Sequence, residues 1–282
     1  MKAFVLAAGL GTRLKPWTEH HPKALVPVGG IPMLERVIEK LRGEGFDEIV
    51  INVHHFASQI IDFLKKFNNQ ESEIESHLKI EVSDESEKLL DTGGGLLYAI
   101  EQLSHDDGPV LVHNVDILSN ASLSDLVEVH KRNGNDATLL VSQRNSTRQL
   151  IIDSKGKLRG WINIATGEVK PALLKGIIQD AKETGSNESM RDWLVARGLR
   201  TVAFSGIHVI NPGLLEEMKR YLNEPGVTEK FSIIDFYLWN IGREGIRIGV
   251  EEKEDLDMID IGKPETLHEA DRRYMQKNSV SI

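Results

Sequence analysis

The chain opens with a short apolar run that leads directly into a glycine-rich turn. Lys2–Ala8 has the length of one buried strand, and Gly9–Arg13 (GLGTR) follows it at once. Glycine lets the main chain approach a ligand closely, and the backbone N–H groups of such a turn converge on an anion. Phosphates bind in this way at the carboxyl ends of strands in α/β proteins. The N-terminal stretch therefore predicts an α/β fold with an anion site at its first turn.

Three basic residues surround this turn. Arg13 ends the turn, Lys15 follows two residues later, and Lys23 comes ten residues after Arg13. Two known phosphate motifs do not fit, because the dinucleotide fingerprint needs glycine where Leu14 stands and the ATPase loop needs Gly-Lys-Ser/Thr. The three cations nevertheless predict a polyanion such as a triphosphate. For the glycines alone, an ordinary strand-to-helix turn with surface charges is the alternative.

Apolar runs alternate with amphipathic stretches such as Met33–Gly43, which keeps helical spacing. The alternation predicts a mostly parallel sheet with helices on both faces, a three-layer α/β/α sandwich. Lys155–Lys157 predicts a hairpin, so the sheet should be mixed, and Asp180–Ser189 predicts a loop. The predicted strands are Ala3–Ala8, Glu48–Val53, Leu78–Val82, Val110–His113, Ala137–Ser142, Leu150–Asp153, Leu158–Ile164 and Arg200–Ile210.

The composition excludes several classes of function. A net charge of −9 argues against nucleic-acid binding, which needs a basic face. The chain has no cysteine, which excludes disulfides and thiolate metal sites and fits a reducing cytoplasm. No segment approaches the ~18 apolar residues of a membrane span. We expect a cytoplasmic protein whose partners include neither nucleic acid nor membrane.

Lys88–Leu97 (KLLDTGGGLL) places three consecutive glycines before an apolar helical pattern. Glycines are costly to order, since each loses more backbone entropy than other residues. Close approach of a flat ligand to the backbone would justify that cost. The alternative is a flexible helix N-terminus that is capped by Asp91 or Thr92.

Val110–Asp116 (VLVHNVD) is a strand that delivers Asn114 and Asp116 at its carboxyl end. A carboxylate there is well placed to hold a hard divalent ion, and Mg²⁺ keeps few protein ligands beside phosphates. Helix capping is the alternative role of a lone Asp at a strand end. Asn52 and His54 lie where another predicted strand ends, and they could reach a base or a sugar.

The segments LAAGLGTRL and PKALVPVGGIPML (Pro22–Leu34) together resemble the signature of the sugar-1-phosphate nucleotidyltransferases. The resemblance covers roughly residues 1–120 and resumes near the C-terminus. It implies the nucleotide-diphospho-sugar transferase (Rossmann-like) fold as a single domain over residues 1–282. The nucleotide-binding part would be about 1–120 and the sugar-binding part about 121–282. The implied reaction joins an NTP to a sugar 1-phosphate, giving an NDP-sugar and pyrophosphate.

The resemblance also implies a set of site residues. Arg13 and Lys23 would be catalytic, Asp116 and Asp260 would hold Mg²⁺, and Ser205 with Gly206 would line the sugar pocket. The nucleotide would be bound by Leu6, Ala7, Ala8, Gly9, Gly11, Thr12, Arg13, Asn52, Thr92, Gly93, Gly94 and Asn114.

The sequence departs from the family pattern in places. Val115 stands where the family has glycine, and Met258 stands where it has an aromatic residue. Glu168–Pro171 resembles a Glu-Lys-Pro motif whose Lys grips the sugar phosphate, but it has an extra residue. Arg144 and Arg148 are competing candidates for that role.

Two substrate pairs agree best with the resemblance: GTP with mannose 1-phosphate, and UTP with N-acetylmuramate 1-phosphate. The alternative function is a catalytically silent regulatory subunit of the same fold that binds a nucleotide sugar. The presence of Arg13, Lys23, Asp116 and Asp260 together argues against this alternative. The sequence leaves open whether the protein is a monomer or a homo-oligomer.

Overall fold

A computed structural model of the protein describes residues 1–70, 78–100, 108–171 and 190–279. No helix within these ranges is long and apolar enough to cross a membrane. The predicted loop Asp180–Ser189 lies outside the described residues. The strands are β1 (Lys2–Leu6), β2 (Pro27–Val28), β3 (Ile31–Pro32), β4 (Glu48–Val53), β5 (Lys79–Asp84), β6 (Val110–Asn114), β7 (Ile117–Ser119), β8 (Ala137–Ser142), β9 (Arg148–Asp153), β10 (Leu158–Asn163), β11 (Glu168–Lys170), β12 (Leu199–Ile210), β13 (Ile248–Glu252) and β14 (Met258–Asp260).

Helices alternate with these strands along the chain. They are α1 (Met33–Gly43), α2 (Ala57–Gln70), α3 (Asp91–Ile100), α4 (Leu123–Asn133), α5 (Met190–Ala196), α6 (Leu214–Tyr221), α7 (Ile233–Trp239) and α8 (Pro264–Ser279). Three short 3-10 helices, Thr12–Leu14, Trp17–Glu19 and Lys23–Leu25, form the segment after β1.

One mixed sheet runs through the molecule in the order β11-β10-β9-β12-β6-β1-β4-β5, and β8 pairs with β12 on one side and with β13 on the other. Strand β1 pairs in parallel with β4 and β6, and β4 pairs in parallel with β5. Strand β12 pairs antiparallel with β6, β8 and β9. The parallel pairs thus belong mostly to the first part of the chain, and the antiparallel pairs begin with the strands after it.

Successive residues of the central strands face opposite cores, as the pleat requires. Ala3 and Val5 of β1 pack in a core with α1, α2 and α4, whereas Phe4 packs in a second core with α3, α6 and α7. A strand that is buried on both faces reads as a continuous apolar run, which is why β1 showed no polar alternation. The predicted three-layer sandwich is confirmed.

Most predicted elements agree with the structure to within one or two residues. Strand β1 ends at Leu6 rather than Ala8, and the hairpin at Lys155–Lys157 joins β9 to β10 in antiparallel pairing. The largest difference is at α3, which begins at Asp91 and contains the three glycines that were predicted to precede it. Their packing, described below, explains why glycine is accepted inside that helix.

The second core contains a buried histidine whose ring has no hydrogen-bond partner among the described residues. His208 of β12 is 1% exposed, both of its ring nitrogens are unpartnered, and it lies 5.7 Å from the ring of Tyr237. Burial lowers the pKa of His208 to about 3, because the charged ring would lose its hydration. The folded protein therefore holds this residue neutral.

We expect acid to destabilise the protein partly through His208. Below pH 6.5 His208 binds a proton in the unfolded chain, whereas in the folded protein it stays neutral until about pH 3. The free energy of unfolding therefore falls as the pH falls through this window. The contribution is about 1.4 kcal/mol per pH unit. Urea unfolding from pH 7 to pH 4 should show a smaller fall for His208→Phe than for the exposed control His268→Gln. Equal slopes for the two variants would contradict this.

Candidate functional site

A cavity of about 320 Å³ opens where β1, β4 and β6 end. In the parallel register Leu6 of β1 lies beside Asn52 of β4 on one side and beside Asn114 of β6 on the other. This edge is where α/β sheets bind phosphate ligands. The residues that line the cavity are Leu6, Ala7, Ala8, Gly9, Lys23, Asn52, Leu89, Asp91, Thr92, Asn114, Val115, Asp116 and Lys230.

Asn52 fixes the backbone where β1 leads into the first turn. Its Oδ1 accepts hydrogen bonds from the N–H groups of Ala7 at 2.7 Å and of Ala8 at 3.3 Å. Asn52 is 1% exposed, so these bonds are shielded from water. These bonds fix the conformation of the turn just before Gly9. Gly9 itself is exposed and lines the cavity.

Gly11 is required by the packing of the turn itself. It has φ +62°, and a Cβ built there would lie 2.8 Å from Cγ2 of Thr18 and 2.9 Å from Cβ of Lys23. Thr18 Oγ1 also donates to the carbonyl of Gly11 at 2.9 Å. Glycine at this position thus lets the turn fold closely over Lys23. Gly11, Thr12 and Arg13 do not line the 320 Å³ cavity.

The Lys23 ammonium lies against the carboxylate of Asp116, although 93 residues separate them in the chain. Lys23 is 9% exposed, and its Nζ donates to Oδ2 of Asp116. A buried ammonium needs such a partner, because transfer out of water is costly for an unpaired charge. The pair places one cation and one carboxylate in the wall of the cavity.

A small two-stranded sheet brings the segment of Asp260 next to that of Asp116, although Asp260 itself does not line the 320 Å³ cavity. Strand β14 pairs antiparallel with β7 so that Asp260 lies opposite Ile117, and the N–H of Ile261 donates to the carbonyl of Asp116 at 3.0 Å. A Cβ built on Gly262 would lie 2.8 Å from Oδ1 of Asp260. The backbone around the two predicted metal ligands is thus in direct contact.

Two arginines share the surroundings of Asp260. Nη2 of Arg13 would lie 2.6 Å from a Cβ on Gly262. The side chains of Arg13 and Asp260 therefore both lie against that glycine. Arg144 lies near enough for the charge of Asp260 to support its protonated form. Burial nevertheless lowers the pKa of Arg144 below its usual value, because desolvation is the larger effect.

Asp116 and Asp260 suit a hard divalent cation. Both offer carboxylate oxygens at the rim of the sheet, where Mg²⁺ is held by one or two carboxylates and completed by water and phosphate. Any two carboxylates that share one ion at about 4 Å would repel by roughly 4 kcal/mol at an effective dielectric of 20, and the cation would offset this repulsion. Within the described residues, no cluster of three or more His, Cys, Asp or Glu could hold a metal.

The three glycines of α3 serve close contacts within the protein. A Cβ on Gly93 would lie 2.3 Å from the ring of Phe231, one on Gly94 would lie 2.0 Å from the carbonyl of Glu229, and one on Gly95 would lie 2.5 Å from Oε1 of Glu85. The N–H groups of Gly93 and Gly94 both donate to the carbonyl of Phe231. The structure thus gives a different reason for these glycines from the predicted approach of a flat ligand.

A second cavity of about 500 Å³ lies on the antiparallel side of the sheet. It contains the basic residues that the sequence analysis named as candidates for binding a sugar phosphate. Arg144, Arg148 and Lys170 all line it. Lys170 is paired with Asp235 at 3.0 Å and lies 5.4 Å from the ring of Trp161. Nη2 of Arg144 donates to the carbonyl of Phe204 at 2.7 Å, and its buried Nε has no partner among the residues that the structure describes.

Ser205 and Gly206 form an irregularity in β12 between the two cavities, and neither lines them. The hydroxyl of Ser205 is buried and donates to the carbonyl of Leu140 at 2.8 Å. Gly206 has φ +80°, and a Cβ there would lie 2.8 Å from Nδ2 of Asn114. These residues support the rim rather than offer side chains to it.

The structure also adds residues that the sequence analysis did not assign to the site. Leu89, Asp91 and Lys230 line the 320 Å³ cavity, and Glu85 lies behind it. Asp91 has φ +63°, which is uncommon for a residue other than glycine. Its position before the glycines was the available signal, whereas Lys230 comes from a distant loop and carried none.

Comparison with known proteins shows one family. The model of the family "Nucleotidyl transferase" matches residues 2–277 of this chain. Mannose-1-phosphate guanyltransferase of Aspergillus oryzae is 38% identical over 143 residues, which are 51% of this chain and 38% of that protein. Mannose-1-phosphate guanylyltransferase 1 of Arabidopsis thaliana is 38% identical over 144 residues, with the same shares. The match therefore spans less than half the length of these relatives.

Solved structures resemble the chain over nearly its whole length. HddC from Yersinia pseudotuberculosis, complexed with GMP-PN, has a TM-score of 0.65 at 21% identity, covering 97% of this chain and 99% of that one. A putative glucose-1-phosphate thymidylyltransferase from Bacillus anthracis has a TM-score of 0.72 at 17% identity, covering 98% and 95%. At these identities the likeness establishes the fold.

The packing of α3 predicts that Gly94→Ala destabilises the protein. A methyl group would lie against the carbonyl of Glu229, so the backbone must shift, and overpacking of this kind costs about 1–3 kcal/mol. Gly43→Ala is the matched control, because Gly43 is also helical and no described atom beyond its own helix lies within 4 Å of a Cβ built there. Urea unfolding should show a loss for Gly94→Ala and none for Gly43→Ala. Equal stability of the two variants would be the opposite result.

Proposed function

The chain belongs to the nucleotidyl transferase family, and we propose that it transfers the nucleotidyl group of an NTP to a sugar 1-phosphate. The products are an NDP-sugar and pyrophosphate. The observation that carries the proposal is the meeting of Lys23, Asp116 and the segment of Asp260 beside the first glycine turn. The presence of Lys23, Asp116 and Asp260 together argues against a silent binding protein.

The proposed reaction needs positioning and charge neutralisation rather than a general base. An oxygen of the sugar phosphate forms the new bond to the α-phosphorus, while the bond from that phosphorus to the bridging oxygen breaks and pyrophosphate leaves. The attacking phosphate is already ionised at neutral pH. Catalysis of this kind rests on holding the groups in line and stabilising the charge that develops.

The chain's own residues would divide this task. The backbone from Ala7 to Gly11, together with Thr12 and Arg13, would hold the β- and γ-phosphates. Lys23 would neutralise charge at the α-phosphate, and its present contact with Asp116 supports a position beside the metal ligands. Asn52 would keep the turn in shape, while Thr92 and Asn114 would contact the nucleoside from the cavity wall.

Mg²⁺ is the cofactor that the donor set favours. Asp116 and Asp260 would hold it, since both carry hard oxygen ligands and their segments are joined at the sheet's rim by the pairing of β7 with β14. When bound, the ion would supply positive charge to the phosphate oxygens. Arg13 and Arg144, which surround Asp260, would balance its charge from the protein side.

Arg144 is our choice for the residue that grips the sugar phosphate. Lys170, the candidate from the Glu-Lys-Pro motif, already pairs with Asp235, and Arg148 is exposed. Arg144 lines the 500 Å³ cavity and interacts electrostatically with Asp260. Its Nε is buried and has no hydrogen-bond partner among the described residues. It thus stands between the proposed sugar side and the metal ligands.

We propose a nucleotide part over about 1–120 and a sugar part over about 121–282, with Lys230 and Asp260 reaching back across that division. GTP with mannose 1-phosphate is the first choice of substrates, because the guanylyltransferase relatives match half of this chain. UTP with N-acetylmuramate 1-phosphate is the second pair. The cysteine-free composition supports a cytoplasmic site of action.

A substrate panel tests this function. The protein is mixed with Mg²⁺, each of ATP, CTP, GTP, UTP and dTTP, and a set of sugar 1-phosphates, and pyrophosphate is measured. We expect release with GTP and mannose 1-phosphate; release only with UTP and N-acetylmuramate 1-phosphate would select the second pair. No release from any pair would overturn the proposal in favour of a regulatory binding subunit.

Lys23→Ala should lower kcat by about two to three orders of magnitude, the effect of removing one group that stabilises transition-state charge. Lys65→Ala is the control, because Lys65 is 70% exposed at its side chain and pairs with Asp62 on the surface of α2. The melting temperature of each variant is measured beside pyrophosphate release. Near wild-type kcat in a folded Lys23→Ala protein would remove this residue from the mechanism.

A further inference from the structure

A buried carboxylate with no role in the chemistry lies behind the 320 Å³ cavity. Glu85 directly follows β5, is 3% exposed, and contributes to the wall of a neighbouring cavity of about 720 Å³. Burial raises its pKa, because the charged form is deprived of water. A group that costs free energy to bury is retained only where its hydrogen bonds matter.

One oxygen of Glu85 fixes the orientation of Asn52. Oε1 accepts from Nδ2 of Asn52 at 2.7 Å. A carboxylate can only accept, so it must face the NH₂ group of the amide. The other end of the amide, Oδ1, is thereby turned toward the N–H groups of Ala7 and Ala8. If the amide were reversed, donor would face donor at the turn.

The second oxygen of Glu85 holds the opposite wall of the cavity. Oε2 accepts from the backbone N–H of Leu90 at 3.1 Å. Leu90 directly precedes Asp91, whose φ of +63° starts α3, and Leu89, Asp91 and Thr92 all line the cavity. The carboxylate can reach both partners because Gly95, whose Cβ would lie 2.5 Å from Oε1, leaves room for it.

We propose that Glu85 is a positioning residue that sets the shape of the nucleotide cavity by tying the first turn and the 89–92 segment to one carboxylate. The identity of the ligand rests on the proposed function, whereas the hydrogen-bond network itself does not. Glu85 acts through Asn52 and the backbone and touches no reacting atom. Through these bonds, two walls of the cavity from distant parts of the chain keep a fixed separation.

The test exchanges donor and acceptor along the network. In Glu85→Gln one carboxylate oxygen becomes an NH₂ group, so either Leu90 or Asn52 loses its acceptor. In Asn52→Asp two carboxylates face each other. In the double variant the new amide at position 85 could donate to the new carboxylate at position 52 and accept from Leu90, while that carboxylate accepts from Ala7 and Ala8. Glu87→Gln is the control, because Glu87 is exposed and two residues away.

Two measurements follow the four variants. Hydrogen exchange of the Ala7 and Ala8 amides is measured on the protein alone, and KM and kcat for the nucleotide are measured with the substrate pair that the panel selects. We expect Glu85→Gln to speed exchange about tenfold and raise KM about tenfold, with kcat changed less than about threefold. In the Asn52→Asp background the same change should slow exchange and raise the melting temperature.

This reversal of sign decides the inference. Glu85→Gln behaving like Glu87→Gln, or worsening exchange in both backgrounds, would overturn it. If a single variant does not fold, recovery of folding in the double variant is the same reversal, and its absence is the same refutation. Because exchange needs no substrate, the network can be upheld even when the panel shows no pyrophosphate release, so failure of the proposed function is seen separately.

Discussion

The parallel pairing of β1 with β4 and β6 is the constraint on which the rest of the site depends. Its register sets Leu6 beside Asn52 and Asn114, so three segments from the first 120 residues end at one edge. The two cores on either side hold these strands through alternate residues, and the backbone cannot shift register without exposing both. The polar groups at the edge are therefore fixed by the packing of apolar ones.

A second constraint closes this edge from the far end of the chain. The short pairing of β7 with β14 carries Asp260 to the segment that follows Asp116, and α8 packs behind it with Met33 and Val28. Charges of both signs then alternate around the rim: Lys23 lies on Asp116, and Arg13 and Arg144 surround Asp260. Lys23, which is buried, is thereby paired with a carboxylate.

Most glycines of this site make room for other parts of the protein rather than for a ligand. Gly11 makes room for Lys23 and Thr18, Gly93 and Gly94 make room for residues 229–231, and Gly95 makes room for Glu85. Gly9 differs from these four, since no described atom lies near its missing Cβ and it faces open space in the cavity. The close approaches that justify these residues are mostly between parts of the protein, and they bring the polar groups of the site within reach of one another.

From the sequence alone one could predict the layered α/β fold, the family and the gathering of Leu6 to Gly9, Lys23, Asn52, Thr92, Asn114 and Asp116 at one edge. The fold follows from local patterns, because apolar runs and glycine turns indicate where strands end. Thr92 was predicted from the family resemblance, and that resemblance is confirmed by a match over residues 2–277. Only the tertiary structure decided that Lys23 pairs with Asp116, that Lys170 is taken by Asp235, and that Glu85 and Lys230 belong to the site. Contacts between residues far apart in the chain depend on how sheets and helices pack, and no local pattern carries that information.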